Sequence, residues 1–300
     1  MSQNSTNTFH GNINKYTGTD NSIVHGRKTE NFGTYNETNN GGEESLPENT
    51  RIAFLEHFKP VLIELAGCAD AWKDPDSKEL QDLWAKVMPD DMKGQYSQCG
   101  KGIRNLAVES LAEWRDLFGD AAKDALDDIL EDKKEEDRGK FIQEQTKGNH
   151  WDRVYYFSSV SDGKPTGSFQ SQIVARTFSA HFKAIQELPE EKRSKNPPKA
   201  ALVLSILAIE RAFKHYEAQT QGNPPTGKFS SDEGAKQSAP RIHRLFEKKK
   251  DGKDRVSAEM WGKIIAVAKS RLEPPTAAID VVDPDSQDES EPPEDLDYQQ

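Results

Sequence analysis

Between residues 50 and 271 apolar side chains recur every three or four positions, the spacing that gathers them on one face of an α-helix. Ile52, Leu55, Phe58, Leu62 and Leu65 make the first such face. Pro60 either kinks that helix or opens a second one, because proline lacks the N–H that an interior turn needs. Asp76 and Glu79 stand in capping-box spacing ahead of Leu80, Leu83, Trp84 and Val87. Ile103, Leu106, Ala107, Leu111, Trp114, Leu117 and Phe118 line one side of a strongly amphipathic helix. Gly119 is placed to end it, and Ala122, Leu126, Ile129 and Leu130 resume the period. Residues 131–140 are almost wholly charged and predict a solvated helical arm or loop.

The period breaks once, at residues 151–160, where aromatic and β-branched residues from Trp151 to Val160 precede the turn signal Asp162-Gly163-Lys164-Pro165 and predict a short extended piece. Helical spacing returns with Ile173, Val174, Thr177, Phe178, His181, Phe182 and Ile185. Asn196-Pro197-Pro198 then opens a helix over residues 199–219 whose first half is apolar nearly all round, as a central helix would be. Ser230 and Glu233 have capping-box spacing before a helix that reaches Phe246 and is interrupted or kinked at Pro240. Met260, Trp261, Ile264, Ile265 and Ala268 define the last helix. The expected fold class is all-α, with a single helical domain over residues 50–271 between a disordered Asn/Thr/Gly-rich arm, residues 1–49, and a disordered acidic tail, residues 272–300.

Composition changes the picture mainly at the ends. The hydrophobic share of 34% and the mean hydropathy of -0.87 are low for a chain compact throughout, so long polar segments lie outside the core. Ten acids and no Lys or Arg fall within residues 272–300 and account for all but one of the net charge of -11. The body is thus nearly neutral, without the overall basic excess that commonly marks nucleic-acid binding. Cys68 and Cys99 form no CxxC pair, and the N-terminus lacks the basic and apolar regions of a secretory signal, so reduced thiols in a cytoplasmic or nuclear protein are expected. Asn4 and Asn36 fit the N-glycosylation pattern but would go unmodified there. No stretch approaches the roughly 20 apolar residues of a membrane span. The arm holds a two-copy repeat, with Phe9-His10-Gly11 and Gly18-Thr19-Asp20-Asn21 answered fifteen residues later by Val24-His25-Gly26 and Gly33-Thr34-Tyr35-Asn36.

Four segments, RVYYF from Arg153, GSFQSQIVARTF from Gly167, PKAALVLSILAIERAFKHYE from Pro198 and APRIHRLFE from Ala239, together resemble an uncharacterised helical domain family of mushroom-forming fungi. The resemblance covers about residues 100–250 and rests on degenerate apolar patterns. It implies an aromatic segment before a helix, then a proline-initiated alanine-rich helix and a further helix after a glycine-containing loop. It brings no catalytic residues.

Candidate chemistry is sparse. No P-loop, nucleophile elbow, HExxH or dinucleotide-binding glycine pattern is present, and no cofactor or metal ligand set is expected. His181, on an apolar face, reads as a satisfied core histidine rather than a ligand or general base. Glu210 with Lys214 and Arg211 with His215 have the i,i+4 spacing of helix-surface pairs. The acidic run at residues 127–137 is interleaved with Lys133 and Lys134 and reads as a solvated face. Lys248, Lys249, Lys250, Lys253 and Arg255 form the basic cluster of note, either a phosphate-contacting or nuclear-import patch or a solvated loop broken by Asp251, Gly252 and Asp254. Ser286 and Ser290 sit among acids as candidate phosphorylation sites. These features point to a non-enzymatic interaction or adaptor protein whose helical body binds a protein partner. The alternatives are a nuclear nucleic-acid-associated protein, of mobile-element descent, and self-assembly through the N-terminal repeat.

Overall fold

The computed structural model describes residues 46–148, 153–161, 163–221, 225–248, 252 and 254–272, all within one compact unit that begins at Glu44. The N-terminal repeat, the acidic tail, Trp151 and Lys249, Lys250 and Lys253 lie outside the described residues, and so do the expectations attached to them. What is described is all-α except for one hairpin.

The first helical run joins α1 (Glu48–Ala53) through a single π turn (Phe54–Phe58) to α2 (Lys59–Cys68), so Pro60 opens α2 at its first turn instead of kinking a longer helix. The wide turn also shifts the apolar face. Phe54, Phe58, Leu62 and Ile63 point inward, while Ile52, Leu55 and Leu65 of the expected stripe are exposed, because a π turn spends one residue more per revolution than the 3.6-residue period assumes. α3 (Ser77–Val87) carries the capping box read from the sequence, with the Asp76 side chain accepting from the Lys78 and Glu79 N–H groups and Glu79 accepting from the Asp76 N–H.

α4 (Gln95–Glu131) runs 37 residues, about 55 Å at 1.5 Å per residue. Gly119 does not end it. A Cβ there would lie 2.7 Å from the Cβ of Phe229, which sits in a short 3-10 turn (Phe229–Ser231) packed across α4. The glycine marks a close approach, a role that leaves the same signal in the sequence as a helix stop. Gly119→Ala should therefore destabilise the fold by about 1–3 kcal/mol through overpacking. Gly139→Ala, on α5 (Glu135–Thr146) with nothing within 4 Å, should stabilise it by about 0.5–1 kcal/mol. Urea midpoints of the two variants check the sign of each.

After α5, a short 3-10 turn (Val154–Tyr156) leads into β1 (Phe157–Ser161), which pairs antiparallel with β2 (Lys164–Ser168) in the register Phe157 with Ser168 and Ser161 with Lys164. Gly163 takes the φ of 72° that the two-residue turn requires. α6 (Gln172–Ala184), capped by Ser171, and α7 (Lys199–Gln221) pack on α4 and on each other. Residues 200–208 of α7 are almost wholly buried, as the all-round apolar sequence requires.

α8 (Glu233–His243) packs against α7, and α9 (Ala258–Lys269) against α6. The cap of α8 is Asp232, whose carboxylate accepts from the Ala235 N–H at 2.9 Å. Ser230, the residue expected to cap, instead donates its N–H to the Asp116 carboxylate of α4 at 2.7 Å. Pro240 lies inside α8 without ending it. Glu210 and Arg211 also reach other partners than the sequence spacing suggests. Glu210 pairs with Arg241 of α8 at 2.9 Å, and Arg211 with Asp232 at 3.3 Å.

Candidate functional site

Side chains of α2, α6 and α9 gather around the connection between α6 and α7. Arg193 fixes that connection: its Nε donates to the Leu188 carbonyl at 2.9 Å and its guanidinium reaches the Ile185 carbonyl at 3.3 Å, closing the C-terminal end of α6. Glu64 fixes it from α2, accepting the Ser194 N–H at 2.8 Å. Cys68, one turn beyond Glu64, donates its thiol to the Asn196 carbonyl at 3.4 Å. Asn196-Pro197-Pro198 then starts α7 without an N–H to satisfy at either proline.

The result is a cleft of about 580 Å³, open to solvent. Its wall is apolar: Phe182 and Ile185 from α6, Trp261 and Ile265 from α9, and Phe246 and Val256 from the chain between α8 and α9. Its rim is polar, with Lys195, Lys199 and Lys269 set against Glu190 and Asp254. Lys269 pairs with Glu190 at 3.0 Å, whereas Lys195 and Lys199 have no carboxylate within 4.0 Å among the described residues. A second hollow, of about 350 Å³ between α4, α5, β1 and α6, has no charged side chain in its lining.

His181 lines the cleft from α6 and is fully buried. Its Nε2 stands 3.5 Å from Glu64 Oε2, at the edge of hydrogen-bonding range, and neither ring nitrogen meets strict hydrogen-bond geometry with any described residue. The core position expected for this histidine is correct, and Glu64 is the polar group that its ring faces. Trp114 packs edge-on against the ring at 5.9 Å, and Gly67 of α2 leaves room for it. Burial holds His181 below its usual pKa, more than Glu64 raises it, so the ring is neutral at pH 7. Burial raises Glu64 in turn, but the donor edge of His181, the Ser194 N–H and the Arg193 charge together outweigh it and hold the carboxyl below its usual range. Burial pushes the Cys68 thiol up, with the Glu64 charge acting the same way, so this is no activated thiolate.

A neutral buried histidine makes stability depend on pH in one direction. The unfolded chain binds the proton more readily, so the contribution is complete above about pH 6.5 and is lost as pH falls from there through the lowered folded value. Urea midpoints between pH 7.5 and 5.5 should fall for the native sequence and fall less for His181→Gln. His243, half-buried and also lowered by burial, leaves a residual slope in the variant. Equal slopes would contradict the assignment.

Two residues of the basic cluster are described. Lys248 and Arg255 are exposed, and Lys248 forms a backbone bridge to Asp254, a lining residue. The acidic run at residues 127–137 does not converge: it straddles the end of α4 and the start of α5, and Asp128 is engaged by Arg176. Among the described residues no group of three His, Cys, Asp or Glu side chains gathers as a metal site would, and no helix is long and apolar enough to cross a membrane.

Comparison with protein-family models, with curated proteins and with solved structures yields no match to this chain.

Proposed function

We propose that the protein is a non-enzymatic interaction module whose cleft between α6, α9 and the start of α7 captures a segment of a partner protein, an apolar anchor flanked by acidic residues. One observation carries this: the same cleft joins an apolar wall, which includes Trp261 and Ile265, to lysines, Lys195 and Lys199, that have no carboxylate partner among the described residues. Apolar anchors in such clefts supply affinity, and rim charges supply specificity and association rate. Glu64 and His181 have the make-up of a base with its orienting carboxylate, but among the described residues no hydroxyl or thiol lies within hydrogen-bonding distance of either ring nitrogen.

Selection of displayed random peptides on the full chain tests the reading. Selected peptides should share an aliphatic or aromatic residue beside Asp or Glu, and should lose binding to Ile265→Glu and to the double variant Lys195→Glu, Lys199→Glu. Val108→Glu, on the exposed face of α4, should bind as the native chain does. Selected peptides that bind all three variants equally would place recognition elsewhere. The alternative in which Lys248, Lys249, Lys250, Lys253 and Arg255 contact phosphates requires DNA or RNA retention that weakens steeply with salt. Replacing Lys248, Lys249 and Lys250 by Ala should then flatten that slope.

A further inference from the structure

We propose that in the full chain this cleft is held by the protein's own acidic segment, residues 273–300, with Ile279, Val281 and Val282 against the apolar wall and Asp280 and Asp283 at the lysine rim. The proposal rests on reading the cleft as a segment-binding site and names the occupant that a partner must displace.

Three observations converge on this occupant. The first is chemical complementarity. Residues 273–300 carry ten acids and no Lys or Arg, and Ile279-Asp280-Val281-Val282-Asp283 places aliphatic residues among them, the composition the cleft calls for. The cleft's own carboxylates are largely committed: Glu64 to the Ser194 N–H and His181, and Glu190 to Lys269, with Arg193 at 4.0 Å. Asp254 is the remaining acid in the lining. Against it stand Lys195 and Lys199, with the exposed Lys248 and Arg255 on the adjoining stretch.

The second observation is the tether. α9 is itself one wall of the cleft and ends at Lys269, a rim residue. Ile279 follows ten residues later, and ten residues span up to about 33–36 Å, ample for a return to the same wall. Pro274 and Pro275 in the sequence disfavour a helix running on through this stretch. The third is concentration. A segment joined by a short linker meets its site at an effective concentration on the order of millimolar, so even a weak fit keeps the cleft occupied until a tighter ligand arrives. A nucleic acid would satisfy the rim lysines but would leave Trp261, Phe182 and Ile265 facing a phosphate backbone.

The test uses the full chain. Zero-length carbodiimide coupling at low salt, read by mass spectrometry, should join Lys195 or Lys199 to Asp280 or Asp283 ahead of other surface lysines. In an equal mixture of light and heavy isotope-labelled protein those links should stay within one copy. A synthetic peptide of residues 273–300 should bind the native full chain at least about tenfold more weakly than a full chain carrying Ile279→Ser, Asp280→Asn, Val281→Ser, Val282→Ser and Asp283→Asn, because the native cleft is already filled. Several results would each overturn the proposal. They are links spread evenly over surface lysines, links mainly between copies, peptide affinity equal for the two chains, and binding of a single-stranded oligonucleotide but not the peptide to the tail-substituted chain at 0.15 M salt. Failure here leaves the cleft itself standing if displayed peptides still depend on Ile265, Lys195 and Lys199. Loss of that dependence removes the segment-binding reading as well.

Discussion

Trp114→Ala should cost the fold about 3–5 kcal/mol, the range for deleting a large aromatic from a closed core. Trp114 is 1% exposed, packs edge-on with Phe118 at 5.3 Å and with His181 at 5.9 Å, and stands midway along α4 where that helix meets α6. Its truncation leaves a void that packed helices close only in part. The cavity would open beside the buried imidazole, so water entering it would give His181 a partner and relax the depression of its pKa. Denaturant unfolding with unchanged slope and a lowered midpoint checks the stability loss. Direct titration of His181 by NMR checks the second effect, which should appear as an upward movement of its pKa toward the usual histidine value. A stability loss below about 1 kcal/mol would mean that the contact between α4 and α6 is looser than described.

Gly67→Ala should be damaging for the opposite reason. A Cβ at residue 67 would lie 2.5 Å from His181 Cε1, 3.0 Å from Nε2 and 3.1 Å from Nδ1, so the imidazole and α2 cannot both keep their places. Overpacking of this kind costs about 1–3 kcal/mol, somewhat offset by the better helix propensity of alanine. The displaced ring would also lose Glu64, and with it one of the groups that hold the connection at residues 186–198 over the cleft. Combining Gly67→Ala with His181→Ala should recover part of the loss, since the second substitution removes the group that the first one strikes. A double-mutant cycle measures that coupling, and additive losses would show that the new methyl group does its harm elsewhere.

Both predictions concern a corner that the sequence reveals only in pieces. The stripe through Phe178, His181, Phe182 and Ile185 identifies a buried face on α6, and Asn196-Pro197-Pro198 marks the start of α7, because periodicity and proline placement are local properties. The cleft is not local. Glu64, His181, Ser194, Phe246 and Trp261 come from separate parts of the chain and share no spacing, so no window of sequence contains the signal. Gly67 leaves no trace either, since a glycine near a helix end reads equally as a terminus. Gly119 shows the cost of that ambiguity: its closeness to Phe229 depends on a turn more than 100 residues away. Ser230 and Asp232 lie two positions apart and both are good capping residues; the 3-10 turn Phe229–Ser231, pinned to α4 where the Ser230 N–H meets the Asp116 carboxylate, takes up Ser230 and leaves Asp232 at the cap. Of the hairpin, only a short extended piece at residues 151–160 and the turn after it were legible; the second strand, Lys164–Ser168, carries a proline and a glycine and no alternation of apolar residues that would announce it.

The π turn between α1 and α2 is where the first helical run absorbs a residue. Five residues, Phe54–Phe58, make a revolution that an ordinary helix makes with about four, so excising one of the exposed residues between the two phenylalanines would let an α-helical turn form while the upstream turn keeps its phase. Thr50, now fully enclosed, would stay inside, and Ile52, now 45% exposed, would stay outside. The same excision within α2, where each residue advances the side chains by about 100°, would instead turn everything N-terminal to it onto a different surface.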